Sequence, residues 1–180
     1  MNFIQTPIEG VIVIETKLFE DERGFFYESY QKEIFSRNGI TDDFVQDNVS
    51  RSSKGVLRGL HYQRSPRAQA KLIRVMRGAV YDVAVDMRPD SKTFGQHYGL
   101  ILSAEDKKML YIPKGFAHGF CVLEDDTEVA YKCSDYYAPE SEGGILWSDP
   151  ALAIAWPKLD VPFLLSEKDK KYPILSKATM

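Results

Sequence analysis

The sequence is poor in several features that would announce a function at once. It has two cysteines, Cys121 and Cys133, and no CxxC spacing. This argues against a disulfide framework or a thiolate metal site and fits a reduced, cytoplasmic protein. No apolar run approaches a membrane span, and the N-terminal MNFIQTPIEG lacks the basic start and apolar core of a signal peptide. Neither GxGxxG nor GxxxxGK[ST] occurs, so no glycine-rich phosphate loop is expected, and without GxSxG there is no serine nucleophile elbow. Net charge is only −3, from 26 acidic and 23 basic residues, which speaks against a non-specific nucleic-acid binder but leaves room for a local anion site.

What the sequence does contain is a succession of short extended segments punctuated by Gly and Pro. "VIVIETKLF" runs through "EDERG" into "FFYESY" as a hairpin-like unit, and "QKEIFSRNGI" is a short helix stopped at Gly39. "FVQDNVSRS", "VLRGLHYQ", "AKLIRVM", "AVYDVAVDMR", "YGLILS", "KMLYIP", "GFAHGFCVLE" and "TEVAYKCSDYY" continue the β pattern, and "LSEKDKKYPIL" starts as a helix that Pro173 interrupts. No repeat or linker divides the 180 residues, and a chain of this length buries roughly 70% of its unfolded surface as one domain. The expectation is a single mainly β domain, a jelly-roll β-barrel with short peripheral helices, holding its ligand in the mouth or interior.

Strand alternation places polar groups on apolar faces. Lys71 falls with Ile73 and Val75, His118 with Phe116, Phe120 and Val122, and Tyr131 with Val129 and Cys133. Each has an ordinary alternative. Lys71 could reach water at a strand end, and His118 and Tyr131 could be hydrogen-bonded wall residues. Their joint occurrence favours a polar pocket. "VLRGLHYQ" is harder, because regular alternation sends Arg58 and His61 to opposite faces. Both can serve one pocket only if the strand bulges, and Gly59 is the place for it.

The chain has three histidines, His61, His97 and His118. A metal-binding barrel of the cupin type would use two histidines one residue apart, but this stretch reads His61-Tyr62-Gln63, so no metal is expected. What remains is acid–base chemistry by His, Tyr, Lys and carboxylates, a set suited to proton abstraction beside a carbonyl.

The segments "RGLHYQ", "KLIRVMRGAVYDVAVDMR", "YIPKGFAHGF", "YKCSDYYAPESEGGILWSDP" and "LSEKDK", with the earlier "DERGFFYESY" and "FVQDNVSRS", closely resemble the dTDP-4-dehydrorhamnose 3,5-epimerases over nearly the whole chain. The resemblance implies a cupin-like jelly roll, a homodimer, no metal and no organic cofactor. It also implies inversion of C3 and C5 of dTDP-4-dehydro-6-deoxy-D-glucose, with enzymes that invert a single centre as the near alternative and a non-catalytic sugar-nucleotide binding barrel as the remote one. By motif, His61 matches the general base and Asp169 its paired carboxylate. Lys71 matches the residue beside the C4 oxygen, and Tyr131 the acid that reprotonates the opposite face. Arg23, Glu28, Gln46, Asn48, Arg58, His118, Glu142 and Lys168 match positions that contact the nucleotide-sugar. Arg23 and Arg58 are the expected diphosphate partners, since a guanidinium suits bidentate phosphate contacts. Phe26 is a candidate to stack on the thymine.

Overall fold

The structure is a computed structural model and describes residues 1–179. In chain order its strands are β1 (Asn2–Gln5), β2 (Ile12–Glu15), β3 (Phe19–Asp21), β4 (Gly24–Phe26), β5 (Gln46–Ser52), β6 (Leu57–Gln63), β7 (Lys71–Arg77), β8 (Ala79–Asp86), β9 (His97–Ser103), β10 (Met109–Ile112), β11 (Phe116–Val122), β12 (Thr127–Cys133) and β13 (Glu142–Gly144). One helix, α1 (Lys32–Arg37), and three single-turn 3₁₀ segments complete it. The large sheet runs β1-β2-β10-β7-β12-β5 and the small one β13-β6-β11-β8-β9, both antiparallel. Two packed sheets with short peripheral helices match the jelly-roll expectation.

Three apolar layers result. Val13, Ile73, Val75, Leu110, Phe120 and Val129 meet between the sheets. The outer face of the large sheet packs Ile14, Leu72 and Met109 against Phe35 of α1. The outer face of the small sheet packs Leu60, Val83 and Val85 against Ile145 and Leu152. Covering both faces explains why β10 and β11 are buried at every position, whereas edge strand β5 alternates between inward and exposed residues.

Several elements are shorter or differently paired than the sequence pattern suggested. The N-terminal hairpin is confined to β3 and β4, while β2 pairs with β1 and β10 instead. The C-terminal helical start is only the 3₁₀ turn Asp169–Lys171. In α1, Gln31 caps the N-terminus through Ile34 N–H and the chain leaves at Gly39 with φ +88°, where a residue without Cβ is favoured.

The irregularity in β6 lies where it was expected. Arg58 pairs with Phe120 and His61 with His118, so Gly59 and Leu60 together face the single residue Gly119. This extra residue is a bulge, and it restores Arg58 and His61 to the same inward face while Leu60 packs outward. Gly59 has φ +131°, and a Cβ there would sit 2.5 Å from Gly119 Cα, so only glycine fits.

Candidate active site

Between the sheets the apolar layer gives way to two connected hollows of about 410 and 440 Å³. They share His61, Lys71, Tyr131 and Lys168. The small sheet supplies His61 and His118, and the large sheet supplies Lys71 and Tyr131 from the facing wall.

His61 Nε2 lies 2.6 Å from Asp169 Oδ1, across 108 residues of sequence. Asp169 is buried, and Ser166 Oγ accepts from its backbone N–H at 3.1 Å. Burial works to raise its pKa, but the His61 hydrogen bond, the His61 charge, Ser166 and the Gly59 N–H outweigh it and hold the carboxyl below its ordinary value. An ionised carboxylate here fixes the imidazole orientation and stabilises its protonated form.

Burial lowers the Lys71 pKa, only partly offset by Cys133, Asp82 and Glu142. Burial raises that of Tyr131, helped by Cys133 and opposed by Arg58. A phenol shifted this way stays protonated, which makes it a proton donor and a poor base. Among the described residues neither side chain has a hydrogen-bond partner, so both point polar atoms at the hollow without satisfying them internally.

At the outer end Glu142 accepts from Lys168 Nζ at 2.5 Å and from the Tyr137 hydroxyl at 2.8 Å. Burial favours a higher Glu142 pKa, but Lys168 and Tyr137 lower it overall. The Tyr172 ring lies 5.6 Å from that of His61, and burial pushes its hydroxyl up to about 12. Gln46 donates to Asn48 at 3.0 Å, and Arg58 donates to Ser52 Oγ at 3.1 Å from the other end of the cavity.

Ten of the thirteen residues singled out in the sequence therefore converge: His61, Lys71, Tyr131, Asp169, Gln46, Asn48, Arg58, His118, Glu142 and Lys168. Arg23, Phe26 and Glu28 are not among them. Arg23 and Phe26 lie on the β3–β4 hairpin beside a separate hollow, Arg23 bound to Asp21, and Glu28 is exposed just beyond it. The residue reading had missed Ser50, Asp82, Cys133, Tyr137, Ser166 and Tyr172 around the cavity. Asp82 had a usable signal, since in "AVYDVAVD" it shares the inward face with Val80 and Ala84. Among the described residues no group of three or more His, Cys, Asp or Glu is placed to hold a metal ion, and no helix is long and apolar enough to cross a membrane.

The sequence model of the dTDP-4-dehydrorhamnose 3,5-epimerase family matches residues 5–177. The chain belongs to this family. It is 54% identical over 172 residues to dTDP-4-dehydrorhamnose 3,5-epimerase of Escherichia coli strain K12, covering 95% of this chain and 92% of that one. Among solved structures, the 3,5-epimerase of Legionella pneumophila in complex with dTDP-4-keto-L-rhamnose superposes with a TM-score of 0.94 at 55% identity, covering 98% of this chain and 93% of that one. A 3'-monoepimerase from Streptomyces bikiniensis in complex with dTDP-quinovose also superposes, with a TM-score of 0.89 at 39% identity and coverage of 95% and 86%. The cupin-like epimerase fold thus accommodates both single and double inversion.

Proposed function

We propose that the protein inverts C3 and C5 of dTDP-4-dehydro-6-deoxy-D-glucose to give dTDP-4-dehydro-L-rhamnose, using its own side chains in one cytoplasmic domain and no cofactor. The observation that carries this reading is the placement of a carboxylate-backed imidazole and a protonated phenol on facing walls of one cavity. Both carbons flank the C4 ketone, so removal of either proton gives an enolate at the same oxygen. His61 takes the proton, Asp169 holds the ring, and Lys71 places its amine beside the enolate oxygen. Tyr131 returns a proton from the other side of the ring, which inverts the centre. Arg58 reaches the diphosphate, and Glu142 and Lys168 close the outer end.

The 3,5 specificity rests on identity above 50% to 3,5-epimerases, and the mono-epimerase fold neighbour keeps single inversion as the second reading. Turnover in D₂O followed by NMR separates them. Deuterium at C3 and C5 is the expected result, whereas deuterium at one carbon alone would establish single inversion. No exchange at either carbon would leave a binding barrel.

We also propose a homodimer. The β3–β4 hairpin exposes Phe19, Phe25 and Phe26 together with Arg23, outside the cavity of its own chain. An exposed apolar hairpin with a phosphate-matching arginine suits the cavity of a second copy. The test mixes two inactive variants, His61→Ala and Arg23→Ala. Random exchange should restore about a quarter of wild-type activity, because half the dimers are mixed and each has one intact site. No recovery in mixed dimers would place Arg23 with its own chain.

A further inference from the structure

The cavity contains a second histidine–carboxylate pair. His118 sits directly opposite His61 in the β6–β11 ladder. Its Nε2 lies 2.9 and 3.0 Å from the two oxygens of Asp82, a fully buried residue of β8. A carboxylate can only accept, so that nitrogen carries a proton. The Nδ1 has no partner among the described residues and is not enclosed by protein, which leaves it open to the hollow that His118 lines.

We propose that Asp82 is a positioning residue that fixes His118 as the Nε2–H tautomer, so that Nδ1 faces the cavity as a hydrogen-bond acceptor for a hydroxyl of the bound sugar. This inference rests on the sugar-nucleotide reading of the cavity. Charge supports the neutral form. Burial lowers the His118 pKa, and Lys71 of β7 and His61 of β6 lower it further, against the opposing pull of Asp82. Arg58, also on β6, adds another cation to the same wall. A bare ring nitrogen repels a phosphate oxygen and accepts from a hydroxyl, so His118 recognises the sugar, and Arg58 is left with the diphosphate. The opposite wall offers a complementary group in the same hollow. Ser50 Oγ, on β5, is the one enclosed side-chain N or O atom without a partner among the described residues. A polar atom of this kind calls for a polar ligand.

The decisive measurement needs no variant of Asp82. Long-range ¹H–¹⁵N correlation spectra of histidine-labelled wild-type protein at neutral pH, assigned with His118→Gln, should show His118 protonated at Nε2 and bare at Nδ1. An imidazolium or Nδ1–H pattern overturns the proposal. Two variants then test the consequence. Asp82→Leu should weaken binding of the sugar nucleotide about tenfold while dTDP itself binds within about twofold of wild type. Asp82→Asn, whose carbonyl oxygen can still accept from Nε2–H, should retain most of the sugar-nucleotide affinity. Equal loss for dTDP and the sugar nucleotide would put His118 on the phosphates and overturn the proposal. Deuterium exchange by the wild type tests the parent reading independently, because the tautomer pattern does not depend on turnover.

Discussion

Two buried polar clusters in this protein are built on opposite plans. At the end of β8, Asp86 is fully buried and saturated. It accepts from Arg88 Nε at 2.9 Å, Arg88 Nη2 at 2.7 Å, Ser91 Oγ at 2.6 Å, Thr93 Oγ1 at 2.6 Å and the Arg88 backbone N–H at 3.0 Å. Two positions earlier in the inward row, the equally buried Asp82 backs His118, which lines the cavity where the Lys71 amine, the Tyr131 hydroxyl and Ser50 Oγ find no partner among the described residues. Saturated polar groups order a loop and leave nothing for a ligand. Unsaturated ones cost folding energy that a ligand can recover. The same strand thus serves stability at one position and chemistry at another, and substitutions should separate the two.

The largest effects are expected at His61 and Tyr131, the pair proposed to transfer the protons. His61→Ala should lower kcat by about 10²–10⁴-fold, the range expected for a lost general base, with exchange at both carbons affected together. Tyr131→Phe removes a hydroxyl that bonds nothing internally. It should cut kcat by about 10²-fold or more while the melting temperature stays the same or rises slightly. A large drop in melting temperature for Tyr131→Phe would show that the hydroxyl is structural and would erase the contrast with Asp86.

Lys71→Met should move activity and stability in opposite directions. Removing the amine proposed to stand beside the enolate oxygen should cost about 10²-fold in kcat, while removing a desolvated, unpaired amine should raise stability at pH 7. The sign can be followed with pH. Lys71 is depressed in the folded state, so between its folded and unfolded values the unfolded chain binds more protons and wild-type stability rises with pH. The advantage of the Met variant should therefore shrink as pH approaches the ordinary lysine value near ~10.4. Denaturant titrations at several pH values read this directly, and a constant gap would mean that Lys71 bears no burial penalty.

Most of this contrast could be read from residue order, and the exceptions have physical causes. Alternation placed Lys71, His118 and Tyr131 on inward faces because β7, β11 and β12 are regular where those residues sit. It failed for Arg58 and His61 until Gly59 was allowed a bulge, since one added residue exchanges the two faces of a strand. Asp169 was visible only by family resemblance, because a 3₁₀ turn far along the chain has no periodicity to place it against His61. Tyr137 and Tyr172 are loop residues with the same difficulty. The short strands β1 and β13 escaped notice, and β13, reading Glu-Gly-Gly, has little strand propensity and forms because β6 supplies a partner. The position of Arg23 and Phe26 outside the cavity was not legible either, because a β-hairpin pattern fixes the pairing of β3 with β4 and not where the hairpin sits relative to the sheets.

The smallest expected effect on turnover belongs to the saturated cluster. Burial works to raise the Asp86 pKa, yet hydrogen bonds from Arg88, Ser91, Thr93 and the Arg88 backbone outweigh it and bring it down to about 2. A depressed carboxyl stabilises the fold above its unfolded value near ~3.9, and that contribution disappears as pH falls through about 2. Asp86→Asn should therefore lower stability at pH 7 by about 2 kcal/mol, with the difference from wild type closing between pH 4 and pH 2. Its kcat should remain within about twofold of wild type, because none of the Asp86 partners lines the cavity. Equilibrium unfolding across that pH range reads the first expectation and steady-state turnover the second. A fall in kcat comparable to that of Lys71→Met would mean that loop order at the end of β8 is coupled to the catalytic wall, and that the two clusters are not independent.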